Sequence, residues 1–184
     1  MTNRLFVALE IPYDIRKEII DYRDRLYPES AAVRWEPVEK MHITLKFLGD
    51  VEINLQDRII NILESLASKS KKIECSFEKF GLFYKGKVPG ILWAGLKENR
   101  ELENLALLID DSLAELNFEK EKRKFKSHIT LLRLKGKEDR NKIQKFLEFD
   151  FPELRFTADS FTLFKSKLLP AGSVYSTLKS FNLI

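Results

Sequence analysis

The sequence predicts an α+β fold of two pseudo-symmetric lobes whose sheets face a central cleft, with helices on the outside. Three observations carry this. His42-Ile43-Thr44-Leu45 recurs letter for letter as His128-Ile129-Thr130-Leu131, and these hold the only two histidines among 184 residues. The copies stand 86 residues apart (128 minus 42); at that offset Leu5 meets Ile91, and Asp14 to Leu26 meets Arg100 to Ser112. Strand, helix, motif strand, helix is thus run through twice, the pattern of an internal duplication that brings equivalent strands face to face. Finally, 44% hydrophobic residues in a chain of this length suffice for one large bilobal domain spanning 1–184.

Each element has its own justification. Arg4 to Glu10 is a short apolar run closed by Ile11-Pro12 and reads as a buried strand. Asp14 then caps a helix that puts Ile15, Ile19, Tyr22 and Leu26 on one face and ends at Pro28. Val33 and Trp35 alternate across a short extended segment, after which Met41 to Leu48 is the first motif strand, closed by Gly49-Asp50. Leu55 to Ala67 reads as a second helix with Leu55, Ile59, Ile62, Leu63 and Leu66 inward. Ile73 to Phe80 alternates as a strand, with Cys75 half-buried in it, and Lys85 to Gly90 is the strongest turn signal in the chain. The second half gives a strand from Ile91 to Leu96 and a helix from Arg100 to Leu116, with Leu105, Ile109, Leu113 and Leu116 among its core positions. A charged loop, Glu119 to Lys126, leads to the second motif strand, Ser127 to Leu134, closed by Gly136. A short helix from Asp139 to Leu147 and two last strands, near Leu154 to Phe164 and Ser173 to Leu178, complete the order.

Charged residues make up 33% of the chain with a net charge of +4, an excess that permits a phosphate-bearing partner without specifying one. The single cysteine excludes an intramolecular disulfide and a cysteine-based zinc cluster. The apolar run Leu5 to Leu9 is too short for a signal or a membrane span. A cytoplasmic monomer with no membrane partner is the expectation.

Side chains alternate along a strand, so in each motif the His and Thr share one face while the Ile and Leu anchor the other. Two such strands brought together surround one small volume with two imidazoles and two hydroxyls. Hydrolysis of a strained cyclic phosphodiester needs that set: a base for water, an acid for the leaving alkoxide, and donors for the phosphoryl oxygens. Histidine suits both proton roles because its unperturbed pKa lies near neutrality. Neither metal nor cofactor is required by this scheme.

The blocks RLFVALEIP, WEPVEKMHITLKFLG, FKSHITLLR and SKLLPAGSVY stand in the order of the two-histidine (2H) phosphoesterase superfamily. The chain resembles the LigT-like RNA 2′,3′-cyclic phosphodiesterases within it, over nearly its whole length. The resemblance implies antiparallel sheets lining the cleft and metal-independent opening of a 2′,3′-cyclic phosphate to a 2′-phosphate, with links to reversible 2′-5′ RNA ligation. It implies His42 as the acid for the 3′ oxygen, His128 as the base for water, and Thr44 and Thr130 on the phosphate.

Three further residues are candidate substrate contacts. Lys46 continues the alternation of His42 and Thr44 into the cleft, the alternative being a solvated lysine at a strand end. Arg133 matches the family's arginine after the second motif, yet simple alternation puts it opposite His128 unless a bulge re-aims it. Tyr175, like Trp35, could stack a base, although large aromatics more often fill a core. Rival readings are a metal site using both histidines, a non-catalytic RNA-end-binding module, and a phosphodiesterase for small cyclic nucleotides or the cyclic phosphate of an ADP-ribose derivative.

Overall fold

The computed structural model describes residues 1–28, 33–170 and 172–184; Ala171, inside the SKLLPAGSVY block, lies outside them. Among the described residues eight strands form two four-stranded sheets. The strands are Thr2–Glu10 (β1), His42–Glu52 (β2), Ile73–Lys85 (β3), Val88–Leu96 (β4), His128–Arg133 (β5), Leu154–Ala158 (β6), Ser160–Leu169 (β7) and Gly172–Asn182 (β8). One sheet runs β2-β1-β7-β8 and the other β5-β4-β3-β6, with antiparallel pairing throughout. Each motif strand is therefore an edge strand, beside a nearly continuous apolar strand that anchors it.

The helices are Tyr13–Leu26 (α1), Gln56–Ala67 (α2), Arg100–Ala114 (α3) and Arg140–Leu147 (α4). They interlock the lobes: α3, from the second half, packs on α2 and β2, whereas α1, from the first half, packs on α4 and β6. Burial of Ile15, Ile19 and Tyr22 on α1 and of Leu102, Leu105, Ile109 and Leu113 on α3 contributes to a single apolar core shared by both sheets. Among the described residues no helix is long and apolar enough to cross a membrane.

Several local expectations change. Helix α1 begins after Pro12 with no side-chain cap, and Asp14 sits in its first turn, where a carboxylate meets the positive end of the helix. The side chains that do cap are Asn99, accepting from the Glu101 and Leu102 amides at 3.0 and 3.1 Å, and Asp139, accepting from the Asn141 and Lys142 amides at 2.9 and 3.3 Å. Gly49 does not close β2. It has φ +72° where the register with β1 shifts, so it permits a bulge and the strand runs on to Glu52. The Lys85 to Gly90 turn shrinks to Gly86-Lys87, because Val88 and Pro89 already pair with Lys85 and Tyr84. Cys75 is fully rather than half-buried, and burial raises its thiol to about 12.

The largest difference lies near the C-terminus. The stretch Leu154 to Phe164 is two strands: β6 pairs with β3, and after Asp159 β7 pairs with β1 in the other sheet. Both alternate correctly, so periodicity alone hides the crossing. Through it the first sheet takes two of its four strands from the end of the chain.

Candidate active site

The two motif strands break their alternation at the same place. Thr44 pairs with Ala8 and Lys46 with Val7, leaving Leu45 as an extra residue; Thr130 pairs with Trp93 and Leu132 with Leu92, leaving Leu131 extra. A bulge inverts the phase of every side chain beyond it. Past the bulges Lys46 and Leu132 turn into the protein, 6% and 1% exposed, while Phe47 and Arg133 emerge on the face of the histidines.

This corrects the reading of Lys46. It neither lines the cleft nor sits solvated at a strand end. Its ammonium donates to the Asp110 carboxylate on α3 and, at 2.9 Å, to the Glu119 carbonyl, and the Asp110 carboxylate also accepts from the Glu121 amide at 3.3 Å. Lys46 thus ties the first motif strand to the charged loop that precedes the second. Arg133, by contrast, is re-aimed to the cleft rim, where Glu36 approaches it at 3.6 Å. Glu36 is placed there because its amide donates to the Leu131 carbonyl at 2.8 Å.

His42 and His128 come within electrostatic reach of each other across the cleft. Their settings match. His42 stacks on Phe6 at 5.0 Å and meets Tyr175 edge-on at 5.4 Å, with Phe164 at 6.0 Å; His128 stands edge-on to Phe83 at 4.7 Å, with Trp93 at 6.4 Å. Trp93 lies flat across its sheet between two glycines: a Cβ on Gly81 or Gly95 would stand 2.2 or 2.5 Å from the indole ring. Lys126 covers it at 4.3 Å.

His128 is held through Nδ1 by the carbonyl of Lys126, two residues before it, at 2.7 Å, and the Lys40 carbonyl, two residues before His42, raises the proton affinity of that ring from the equivalent position. A carbonyl only accepts, so in His128 the proton resides on Nδ1 and Nε2 is left for chemistry. Thr44 and Thr130 are half-buried, and among the described residues neither hydroxyl has a protein partner.

Of the residues singled out in the sequence, His42, Thr44, His128, Thr130, Arg133 and Tyr175 share the cleft. Trp35 does not; it packs against Tyr27 and Phe146 at 5.7 and 6.0 Å. The sequence reading missed Phe6, Phe47, Phe83, Trp93 and the two buttressing carbonyls. Backbone acceptors leave no mark in a sequence, and the aromatics sit in apolar runs with no phase to read. Only Gly95, two residues past Trp93, hinted at a ring lying on bare backbone; Gly81 comes under the ring through strand pairing.

Burial lowers the proton affinity of both rings. It lowers His42 to about 4, against the Lys40 carbonyl, which raises it, with His128 and Arg16 adding a smaller lowering. His128 is lowered as well, chiefly by burial and then by the Lys126 and Arg133 cations, while the Lys126 carbonyl pulls upward. Unfolded histidine titrates near 6.5, so between pH 6.5 and 4 the unfolded chain binds more protons than the folded one. Stability from His42 is complete above pH 6.5 and falls by about 3 kcal/mol as pH drops to 4. Urea melts of wild type and His42→Asn across this window should differ by that slope; parallel curves would show the ring to be solvated.

The family model described as LigT like phosphoesterase matches residues 9–93 and 95–175. An RNA 2′,3′-cyclic phosphodiesterase of Methanocaldococcus jannaschii is 31% identical over 180 residues, covering 96% of this chain and 98% of that protein. The protein of the same name from Archaeoglobus fulgidus is 35% identical over 180 residues, covering 97% and 99%. The crystal structure of TT0787 from Thermus thermophilus superposes with a TM-score of 0.82 at 24% identity over 98% of this chain and 97% of that one, a likeness of fold. By sequence match over nearly its full length, the chain belongs to the LigT-like phosphoesterase family.

Proposed function

We propose that this chain is an RNA 2′,3′-cyclic phosphodiesterase that opens a cyclic phosphate end to a 2′-phosphate. The observation that carries the reading is the mirrored pair of imidazoles, each with the carbonyl two residues upstream acting on it and each with a threonine hydroxyl on the same face that has no protein partner among the described residues. The family's named relatives support the substrate class.

In the proposed step His128 Nε2 takes a proton from water as the water oxygen bonds to phosphorus. The bond from phosphorus to the 3′ oxygen breaks in line, and protonated His42 delivers its proton to that oxygen. Thr44 and Thr130 donate to the non-bridging oxygens, where charge accumulates. Arg133 and Tyr175 contact the substrate at the rim. Because burial leaves His42 neutral in the ligand-free protein, it becomes the acid as the anionic phosphate enters and raises its proton affinity. With a 5′-hydroxyl in place of water, the same displacement yields a 2′-5′ linkage.

Both histidines belong to one chain, which supports a monomer as the acting unit, and the lone cysteine suits a reducing cytoplasm. The matching bulges and buttresses support one bilobal domain, 1–184, that arose by internal duplication. The pairing register refines the repeat: Ala8 and Trp93 occupy equivalent positions opposite Thr44 and Thr130, an offset of 85 (93 minus 8) on the neighbouring strands against 86 on the motif strands.

The test is turnover of a short RNA with a 2′,3′-cyclic phosphate end, in EDTA, with the product isomer identified. A 2′-phosphate is expected. An end that binds and stays cyclic would leave a binding module as the better description, and a 3′-phosphate would reverse the leaving group.

A further inference from the structure

Past the histidine pair the cleft continues over Tyr175 into a depression of about 220 Å³, lined by Pro37, the exposed Glu39, Lys40, Leu169, Gly172 and Val174 among others. One wall is the turn that leads into β2; the other is the β7–β8 hairpin. Lys40 joins this space to the site: its carbonyl buttresses His42 while its ammonium stands 6.0 Å from the centre of the Tyr175 ring. Gly172 leaves that side open. Its φ is +121°, and a Cβ there would lie 3.7 Å from Lys40 Nζ, so that ammonium lies against bare backbone.

Charge decides what such a place suits. A cyclic phosphate carries one negative charge, and the rings, hydroxyls and Arg133 already surround its position. The Lys40 cation beyond Tyr175 has no counterpart in a mononucleotide. It suits a second phosphate, and the partly exposed Leu169 and Val174 beside it, 39% and 51% exposed, offer an apolar surface to a base. A basic groove with apolar or aromatic platforms is how single strands are held.

We infer that this depression is the subsite for the nucleotide preceding the cyclic phosphate end, with Lys40 holding the phosphodiester that joins the two. The preferred substrate is then an oligoribonucleotide, and Lys40 is a specificity-determining residue. The inference rests on the proposed reaction and extends it one nucleotide upstream.

The experiment compares kcat/KM for adenosine 2′,3′-cyclic phosphate and for the dinucleotide ApA with a 2′,3′-cyclic end. Wild type should favour the dinucleotide. Lys40→Gln should lower the dinucleotide-to-mononucleotide ratio about tenfold, the scale of one charge-assisted hydrogen bond, and flatten the log–log salt dependence for the dinucleotide by about 0.7. Lys40→Arg should keep the ratio, and Val174→Trp, which fills the space from a strand position, should lower it. Equal losses on both substrates, or no wild-type preference, overturn the assignment. If wild type opens neither, the proposed reaction falls, and binding judges the subsite: 2′-phosphorylated ApA must bind about tenfold tighter than adenosine 2′-phosphate, with Lys40→Gln closing the gap. A missing gap overturns the subsite on its own.

Discussion

Alanine in place of either His42 or His128 should cut kcat on a 2′,3′-cyclic phosphate end by about 10³-fold, within the range that a positioned acid or base contributes. Both rings serve one displacement, so their effects should not add: the double variant should be only slightly worse than either single one. Alanine also opens a hole beside Phe6 and Tyr175 or beside Phe83, which makes asparagine the sharper probe. Its amide N–H can still reach the carbonyl of Lys40 or Lys126, but it cannot carry a proton between donors. Single-turnover rates of the asparagine variants should fall as far as those of the alanine variants, while their melting midpoints stay nearer wild type. An asparagine variant that keeps a tenth or more of the wild-type rate would remove that ring from proton transfer.

The second large effect concerns stability. Lys46→Met takes from the buried Asp110 carboxylate its ion-pair partner and leaves the Glu121 amide as its hydrogen-bond donor among the described residues, a change expected to cost about 3–5 kcal/mol. The double variant Lys46→Met/Asp110→Leu removes both charges and should recover most of that loss, because an apolar pair of similar volume suits a buried site. Urea unfolding of the two singles and the double gives the coupling directly. A cost below about 1 kcal/mol for Lys46→Met would mean that the pair behaves as a surface ion pair. The same pair also bears on the site, since it holds β2 just past its bulge and pins the loop that delivers His128.

What could be read in advance differs sharply between the motifs and their surroundings. His42, Thr44, His128 and Thr130 were legible because identical tetrapeptides carried every histidine of the chain, and a strand's period of two fixes which side chains share a face. Two residues past Thr44 and three past Thr130, the same rule failed. It sent Lys46 to the cleft and Arg133 away from it, whereas Leu45 and Leu131 are each accommodated as an extra residue against the neighbouring strand and both assignments reverse. A bulge belongs to a pair of strands, so one strand's pattern does not announce it.

Strands and helices were likewise legible as types and in nearly the right order, because apolar spacing is set by burial of one face. Sheet membership was not. The alternation from Leu154 to Phe164 is equally satisfied by one strand or by two in different sheets, and only the partners β3 and β1 separate them. The helices behave in the same way: their apolar stripes called for cover, but that α1 serves the second sheet and α3 the first follows from how the halves interlock. Residue types and their spacing settle which side chains can carry acid–base chemistry and on what kind of strand. Which cations reach the cleft, and how the lobes are joined, is settled in the folded chain, because strand pairing and helix docking depend on long-range partners that local periodicity does not encode.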